Sequence, residues 1–337
     1  MAKSMTKHPV SIADTLKQAW QDLRADHPHM RIRDAAATLG VSEAELLATD
    51  CGNLVTRLRE HWPALLGAVG TLGPVMALTR NAFAVHEKTG LYEDICPCGD
   101  FILISGHHIE LCLSTGVWRS GFAVMEETHL GPRHSLQFFD TGGEAVHKIY
   151  LTEHSDAGLY RRLVDIFRAD DQSPYLELPT DGAKPALGAL APSKDLPEHW
   201  RRMLLAHTTE AVLAGRIATP ALRELMRQLA ELLLPIQVLV GNPGAMQLHD
   251  GPIQNLKITG PWFNVLDRDF NLHLNEMAVA GADIVQLTCG QQALTGLLIR
   301  GQNQQTIASV FGGYDETDGE SVFWRDLLLA LPVIGRV

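Results

Sequence analysis

The feature that most constrains the fold of this chain is an internal repeat. The segment Pro74-Val-Met-Ala-Leu-Thr-Arg-Asn81 is similar to Pro235-Ile-Gln-Val-Leu-Val-Gly-Asn242, and the two prolines are 161 positions apart (235 − 74). The same separation relates three further pairs: Gly90 and Gly251, Leu111 and Leu272, Tyr150 and Phe311. One offset that holds over so many positions indicates a tandem duplication, and two unrelated sheets with similar turns are the alternative.

Each repeat has the pattern of short strands followed by a helix. In the second repeat, turn signals at 241–244 and 249–252 separate short alternating segments, and Phe270, Leu272 and Leu274 share one face. In the first repeat, the same pattern predicts strands at 75–78, 83–86, 101–105, 109–113, 122–126, 135–140 and 145–151, and a closing helix over 157–167. The predicted fold class is α+β: a tandem duplication of a unit made of a large antiparallel β-sheet covered by helices.

Composition shifts along the chain predict its domain boundaries. We expect a disordered tail over 1–10, a first repeat over 11–169 and a second repeat over 195–337, separated by a linker over 170–194 that is rich in Pro, Gly, Ala and Ser. A linking helix is predicted around 53–66. A length of 337 residues is enough for two units that each bury a core.

Charge and hydropathy exclude several classes of function. The formal net charge of −11 argues against non-specific binding to nucleic acid or to an anionic membrane. No apolar run approaches the roughly 20 residues that span a bilayer, and the first residues lack a signal-peptide core. The five cysteines are irregularly spaced, as is typical of reduced thiols. We therefore expect a cytoplasmic protein with no nucleic-acid partner and no membrane insertion.

Two local patterns in the sequence are similar to known functional motifs. A predicted helix pair over 32–39 and 41–49 resembles a helix-turn-helix, but its second helix carries Glu43 and Glu45 and no Lys or Arg, which favours a structural role. Cys96-Pro97-Cys98 offers two thiols without a second pair nearby, so a turn is predicted there rather than a metal site. The sequence has no phosphate-binding glycine loop and no nucleophile elbow.

The 15 histidines are the least usual feature of the composition. We predict that His86 lies at a strand end and that His249 and His273 face away from the core. His207 differs, because it follows Trp200, Met203 and Leu204 at helical spacing and is predicted to point inward. Taken alone, an inward histidine is either a hydrogen-bonded core residue or a ligand for iron or another transition metal.

Several segments resemble the bacterial haem-utilisation family usually called HemS, HmuS or ChuS, or haemin-degrading factor. The likeness covers nearly the whole chain, and its most specific segments are Leu72-Gly-Pro-Val-Met-Ala-Leu-Thr-Arg-Asn81, Ser135-Leu-Gln-Phe-Phe-Asp140, Ala145-Val-His-Lys-Ile-Tyr-Leu-Thr-Glu153 and Gly260-Pro-Trp-Phe-Asn-Val-Leu-Asp267. The family's fold is a tandem repeat of a sheet-plus-helices unit, which agrees with the duplication. The resemblance implies a protein that receives haem from an importer and carries it; some members degrade haem to release iron.

The resemblance also implies where haem b would bind. An axial histidine in this family comes from a helix just after the inter-repeat linker, and the matching position is His207, the predicted metal ligand. Haem contacts are expected from His207, Tyr314, Phe270 and His86. Importer components or a haem oxygenase are the partners implied.

The chain departs from the family where basic residues are expected around haem. Glu110, Gln286 and Tyr314 occupy those positions, and the segment after His207 is shorter than in the family. Losing cations removes charge-assisted contacts to the haem propionates. Two functions therefore remain open at this point: a haem-binding trafficking protein, with carriage favoured over degradation, and a diverged paralogue that keeps the scaffold but binds another ligand or a partner protein.

Overall fold

The computed structural model describes residues 12–128, 131–178, 196–207, 211–289, 292–315 and 319–334. The described helices are α1 (Ile12–Asp26), α2 (Ile32–Leu39), α3 (Glu43–Ala48), α4 (Trp62–Val69), α5 (Ala157–Phe167), α6 (Glu198–Leu205), α7 (Thr219–Leu232) and α8 (Val322–Leu329). The strands of the first repeat are β1 (Val55–Arg57), β2 (Val75–Arg80), β3 (Ala84–Gly90), β4 (Asp94–Cys98), β5 (Phe101–Gly106), β6 (Ile109–Leu113), β7 (Trp118–Thr128), β8 (Gly131–Asp140) and β9 (Ala145–Leu151). Those of the second repeat are β10 (Val212–Ile217), β11 (Ile236–Asn242), β12 (Ala245–Gly251), β13 (Leu256–Thr259), β14 (Trp262–Leu266), β15 (Phe270–Asn275), β16 (Val279–Cys289), β17 (Gln292–Gly301), β18 (Thr306–Gly312), β19 (Tyr314–Asp315) and β20 (Gly319–Glu320).

The strands form two nine-stranded antiparallel sheets and a small hairpin. Sheet I has the order β1-β7-β8-β9-β2-β3-β15-β14-β13, and sheet II has the order β10-β16-β17-β18-β11-β12-β6-β5-β4. Strands β19 and β20 pair separately. With the helices that cover these sheets, the α+β class and the tandem duplication are confirmed.

The two repeats exchange strands, which the sequence did not predict. Sheet I takes β13, β14 and β15 from the second repeat, and sheet II takes β4, β5 and β6 from the first. The exchange is made by β15, which pairs with β3, and by β6, which pairs with β12. The expectation that each repeat builds its own sheet is therefore wrong, because each sheet needs both repeats to be complete.

The duplication extends to the bounds of the strands. Strands β3, β7, β8 and β9 begin 161 positions before β12, β16, β17 and β18 (245 − 84, 279 − 118, 292 − 131 and 306 − 145). The two halves therefore place equivalent side chains on equivalent faces, and differences between equivalent positions report how the repeats have diverged.

Each sheet has an inner face, which packs on the main cores, and an outer face. On β2, Val75 and Ala77 lie on the inner face with side chains of α4 and α5. On β11, Val238 and Val240 lie on the inner face with side chains of α7 and α8. Because side chains alternate along a strand, the intervening residues point to the outer faces. The α3 helix packs on the outer face of sheet I and α6 on that of sheet II.

Several local predictions can be compared with these elements. The closing helix of the first repeat is confirmed as α5, and Ser42 and Glu45 form the predicted capping box at the start of α3. The linking helix predicted over 53–66 is wrong, because this segment contains β1 and the start of α4. The turn predicted at Cys96-Pro97-Cys98 is also wrong, because these residues belong to β4, the edge strand of sheet II.

Two further expectations concern the segments between elements. The predicted tail 1–10 lies outside the described residues, as does the part of the predicted linker at 179–194. The described part, 170–178, contacts β1, where the backbone N–H of Arg57 donates to Gln172 Oε1 over 2.9 Å. In the part of the chain that the structure describes, no helix is long and apolar enough to cross a bilayer.

Candidate functional site

The outer face of sheet II is strongly apolar where α6 covers it. Trp200, Met203 and Leu204 of α6 are buried in one cluster with side chains from seven strands of the sheet. The sheet residues of this cluster are Phe101, Leu103, Cys112, Leu239, Met246, Leu248, Val285, Leu287, Leu294, Leu298 and Phe311. We call this surface the outer apolar face.

His207 lies two residues beyond the C-terminal end of α6, the helix that covers the outer apolar face. The α6 helix ends at Leu205, and the backbone N–H of His207 donates to Leu204 O over 3.0 Å. The prediction that His207 lies on the helix itself is therefore wrong; it lies in the turn after it. Its Nε2 atom is 3.1 Å from Ser309 Oγ on β18, so the imidazole is held against the outer apolar face.

The environment of His207 keeps its imidazole neutral. Burial lowers the pKa of His207 to about 4, and the positive charge of Arg300 contributes to the decrease. Arg300 is itself paired with Asp283, whose Oδ2 lies 2.8 Å from Arg300 Nε. A neutral imidazole retains a nitrogen lone pair, which is the form that coordinates a metal ion.

Two of the positions where the resemblance predicts a cation lie on different faces of sheet II. Glu110 on β6 points to the α6 side, where its Oε1 is 2.5 Å from Nε2 of His199 on α6. Gln286 lies between Val285 and Leu287, which both belong to the outer apolar face, so its side chain points away from α6. The carboxylate of Glu110 therefore faces the candidate site and Gln286 does not.

Tyr314, the third such position, lies in β19. Its backbone pairs with Glu320 of β20. Its side chain lies outside the described residues, so its expected contact with haem remains a prediction. The neighbouring hairpin strand is fixed to sheet II, because Glu320 Oε1 accepts from the backbone N–H of Thr295 over 2.5 Å.

His86 and Phe270 lie together, but not with His207. His86 on β3 and Phe270 on β15 have ring centroids 4.9 Å apart, in the interior of the molecule. His249 on β12 stacks on the Phe270 ring: the two ring centroids are 3.8 Å apart and the ring planes are 6° from parallel. Because Leu248 belongs to the outer apolar face, His249 points to the inner face. The predicted haem contacts therefore fall in two places on opposite faces of sheet II.

This second group, which we call the axial cluster, contains His86, Lys88, His249 and Phe270. Lys88 and His249 are separated by 161 positions, so they are equivalent residues of the two repeats, and Lys88 Nζ lies 3.0 Å from His249 Nδ1. Contact between equivalent residues places the cluster on the pseudo-two-fold axis that relates the repeats. The prediction that His86 lies at a strand end and that His249 faces away from the core is wrong, because each is covered by the other repeat.

Burial disfavours the charged forms of the ionisable groups in the axial cluster. Burial lowers the pKa of His249 to about 3, with a further contribution from Lys88. Burial also lowers the pKa of His86 well below 6.5, and among the described residues no group hydrogen-bonds to either ring nitrogen of His86. Burial lowers the pKa of Lys88 as well, against the opposing effect of Asp250 and Asp269. A closed apolar setting of this kind suits a structural role better than a ligand site open to solvent.

Sequence reasoning missed Ser309 and Glu110 as neighbours of α6. The repeat contained a signal for Ser309. The offset of 161 makes Ser309 equivalent to Lys148 (309 − 148), so the second repeat has a small hydroxyl side chain where the first has a long basic one. The smaller side chain leaves space for His207. No comparable signal existed for the contact between Glu110 and His199, which depends on the strand exchange that brings β6 under α6.

Fold and site together define a class of protein: a duplicated α+β protein whose repeats exchange strands, and which presents a neutral histidine beside a broad apolar sheet face. The family model of the haemin-degrading HemS/ChuX domain matches this chain twice, over residues 40–167 and 200–331. The chain belongs to this family, as its sequence segments indicated.

Relatives of known name are similar over nearly the full length. The hemin transport protein HmuS of Yersinia pestis is 31% identical over 336 residues, which is 94% of this chain and 97% of the relative. The crystal structure of holo-PhuS, a heme-binding protein from Pseudomonas aeruginosa, superposes with a TM-score of 0.85 at 36% identity and covers 96% of this chain and 100% of PhuS. The Escherichia coli O157:H7 heme-degrading enzyme ChuS superposes with a TM-score of 0.82 at 26% identity, over 95% of this chain and 99% of ChuS.

Proposed function

We propose that this protein binds haem b and carries it, with His207 as the axial ligand of the iron. The observation that carries the proposal is the position of a neutral imidazole against the outer apolar face of sheet II. Haem needs an apolar surface for its ring and a deprotonated nitrogen for its iron, and this face offers both. The names of the relatives HmuS and PhuS, a hemin transport protein and a heme-binding protein, agree with this choice.

Binding requires α6 to move from the surface that it covers. Trp200 and Met203 occupy the outer apolar face in the structure, so the haem ring takes the place of their side chains. His207 must also give up its contact with Ser309 if it binds iron through Nε2. Both changes lie within 198–207, which makes α6 and the turn after it the moving part.

Carriage, rather than degradation, is the activity that the residues support. The neutral His207 accounts for binding, and no described residue near it is assigned to the oxidation of haem. In a carrier role, the protein acts in the cytoplasm, receives haem from an importer and delivers it to a haem oxygenase or another acceptor. These partners rest on the family resemblance.

One observation favours a second candidate function. Glu110 stands where the family resemblance predicts a cation, and it is paired with His199 on the α6 side of the sheet. A carboxylate there repels the propionates of haem, and it suits a neutral or cationic ligand instead. The second candidate is therefore a paralogue that binds another ligand, or a protein partner, at the outer apolar face.

A haemin titration followed by the Soret band tests these two functions. We expect a saturable shift at about one equivalent in the native protein and a weakened or displaced band in His207→Ala. His154→Ala, which removes an exposed histidine of the first repeat, is the matched control and should behave as the native protein does. A native shift that His207→Ala leaves intact would assign the ligand to His86 or Tyr314. The absence of any saturable shift would leave the second candidate.

The variant Glu110→Gln separates the two candidates further. Removing the carboxylate should strengthen haemin binding if haem is the ligand, because it removes a repulsion from the propionates. Under the second candidate, haemin does not bind specifically and the variant changes nothing. Adding ascorbate and oxygen to the haem-loaded native protein distinguishes carriage, which preserves the Soret band, from degradation, which bleaches it.

A further inference from the structure

The outer face of sheet I carries a cavity that the proposed haem site does not use. It has a volume of about 690 Å³ and lies between α1–α3 and the strands β2, β3, β7, β8 and β9 of the first repeat. Pockets of roughly 300–1,000 Å³ typically hold small organic ligands. The cavity is separated from His207, which lies on sheet II.

The cavity is positively charged in a chain that is negative overall. Seven basic and five acidic side chains line it, whereas the whole chain has a formal charge of −11. At the floor, the buried Glu43 accepts from both Arg80 and Lys148, each over 2.5 Å. Burial acts to raise the pKa of Glu43, but Lys148 and Arg80 outweigh it and lower the pKa overall. An ionised Glu43 between two cations leaves one net positive charge at the floor.

Three further arginines line the cavity, and one of them, Arg33, is close enough to Glu43 to help lower the pKa of that carboxyl. The other two are Arg24 and Arg31. Within the described ranges none of the three forms an ion pair, although Arg33 Nη1 lies 3.5 Å from Ala82 O. Guanidinium groups that are free to reorient are suited to carboxylate and phosphate, which they bind in a bidentate manner.

Apolar side chains also form part of the walls of the cavity, beside the acidic Glu87, Glu126 and Glu127. Met30, Met76 and Met125 line the cavity together with Trp20 and Val124. Methionine side chains adapt to ligands of different shape. A ligand that fills this space therefore needs an apolar body as well as an anionic group.

The equivalent surface of the second repeat has a different character. At the positions 161 residues further along, the second repeat has Ser309 in place of Lys148, Leu287 in place of Glu126 and Leu294 in place of Arg133. These second-repeat residues contact His207 or belong to the outer apolar face. The duplication has therefore produced one apolar face beside a histidine and one charged cavity.

From the cavity, its arginines and its apolar side chains, we propose that the first repeat binds an amphipathic organic anion, with carboxylate or phosphate groups on an apolar body. This site is separate from the outer apolar face, and its test uses a probe that contains no haem.

Fluorescence titration with 8-anilinonaphthalene-1-sulfonate, an amphipathic anion, tests the site in the full-length protein. The variant Arg31→Gln/Arg33→Gln removes two cations from the cavity. Arg119→Gln/Arg161→Gln removes the same charge from exposed positions elsewhere in the first repeat and is the matched control. We expect the cavity variant to bind the probe roughly tenfold or more weakly than the native protein, and the control to change much less. A urea unfolding curve for each variant establishes that both are folded, and Arg24→Gln is the substitute if the double variant is not.

Three results would overturn the proposal, two from the titration itself and one from competition. In the first, the native protein and the cavity variant bind the probe equally well. In the second, both double variants weaken binding equally, which would indicate a general effect of net charge. Competition then identifies the anionic group: displacement of the probe by decanoate indicates a carboxylate site, and displacement by decyl phosphate a phosphate site. If neither competitor displaces the probe from the native protein, the amphipathic-anion site is refuted.

Discussion

Asn81 and Asn242 make the same hydrogen bonds in opposite directions across the centre of the molecule. Each side-chain amide donates to two backbone carbonyls of the other repeat, over 2.7–3.2 Å. The acceptors are Gly241 and Ile307 for Asn81, and Arg80 and Val146 for Asn242. Each side-chain oxygen also accepts from two backbone N–H groups of its own hairpin. The pair therefore joins the two repeats where the exchanged sheets meet.

Replacing either asparagine should weaken the whole molecule. Asn242→Ala removes two donors from carbonyls in the interior and the two bonds that shape its hairpin. We expect a decrease of about 2–4 kcal/mol in the free energy of unfolding, measured by urea denaturation. Asn81→Ala should give a similar decrease because its bonds are equivalent. Asn303→Ala, in an exposed turn, is the control and should change stability by less than about 0.5 kcal/mol. Equal stability of Asn242→Ala and the native protein would contradict the role of this pair.

Acidification should destabilise the protein through its buried histidines. Burial lowers the pKa of His147 and His249 to about 3 and that of His207 to about 4, while in the unfolded chain the value is about 6.5. The unfolded state therefore binds protons first as the pH falls. The stability that these groups contribute is complete above about pH 6.5 and decreases between 6.5 and the folded values, by up to about 1.4 kcal/mol per pH unit for each histidine.

Urea unfolding at about pH 7.5 and about pH 5.5 measures this effect. We expect the native protein to lose at least about 2 kcal/mol between the two. His249→Gln should lose about 1 kcal/mol less over the same interval, because one buried titrating group is removed. His154→Gln, at an exposed position, should lose as much as the native protein. A pH dependence that His249→Gln leaves unaltered would show that folding does not lower the pKa of His249.

Ser309→Ala should increase the affinity for haemin if His207 binds iron through Nε2. In the structure, Ser309 Oγ lies 3.1 Å from that nitrogen, so the contact competes with iron. Removing a hydrogen bond of about 0.5–1.5 kcal/mol should lower the dissociation constant by about 2–10-fold in a Soret titration. Ser105→Ala, an exposed serine on β5, is the control. A lower affinity in Ser309→Ala would indicate that Ser309 orients the histidine for binding instead.

Glu43→Gln should be among the most destabilising single substitutions. It removes the carboxylate that contacts both Arg80 and Lys148 and leaves two cations at a largely buried site. Breaking a buried pair in this way costs about 3–5 kcal/mol. Glu60→Gln, which removes an exposed partner of Arg119, should cost less than about 1 kcal/mol.

Adding a second substitution, Lys148→Met, shows whether Glu43→Gln destabilises the protein through uncompensated charge or through lost packing. If the loss in Glu43→Gln comes from an uncompensated charge, Glu43→Gln/Lys148→Met should recover part of the stability, because one of the two cations is then absent. A double variant that is as unstable as the sum of the two single variants would contradict this explanation.

Much of the fold followed from local sequence. The offset of 161 predicted the duplication, alternating segments predicted most strands, and the helix over 157–167 was predicted with the bounds that α5 has. The errors share one cause. Alternation along β3 and β12 shows that successive side chains point to opposite faces, but it does not show what covers each face. His86 and His249 were therefore assigned to exposed positions, although the other repeat buries them.

At the candidate site too, local sequence predicted some features, and others depend on contacts between distant parts of the chain. His207 was predicted from its position after the linker and its apolar neighbours, and the structure places it against an apolar sheet face. Its contact with Ser309 lies 102 positions away in sequence, and the contact between Glu110 and His199 crosses 89 positions. Phe270 and His86 were predicted at the same site as His207, but they lie in the interior on β15 and β3 of sheet I, whereas His207 lies against the outer face of sheet II.

The sequence by itself determined that this protein is a duplicated α+β unit of the HemS family, because a repeated order of strands and turns is a local property that one offset reveals. Only the tertiary structure decided which strands complete each sheet. That choice depends on long-range pairing of β3 with β15 and of β6 with β12, which no local pattern encodes. The pairing brings Lys88 and His249 together on the pseudo-two-fold axis, and the finished molecule has an apolar outer face on sheet II and a charged cavity on sheet I.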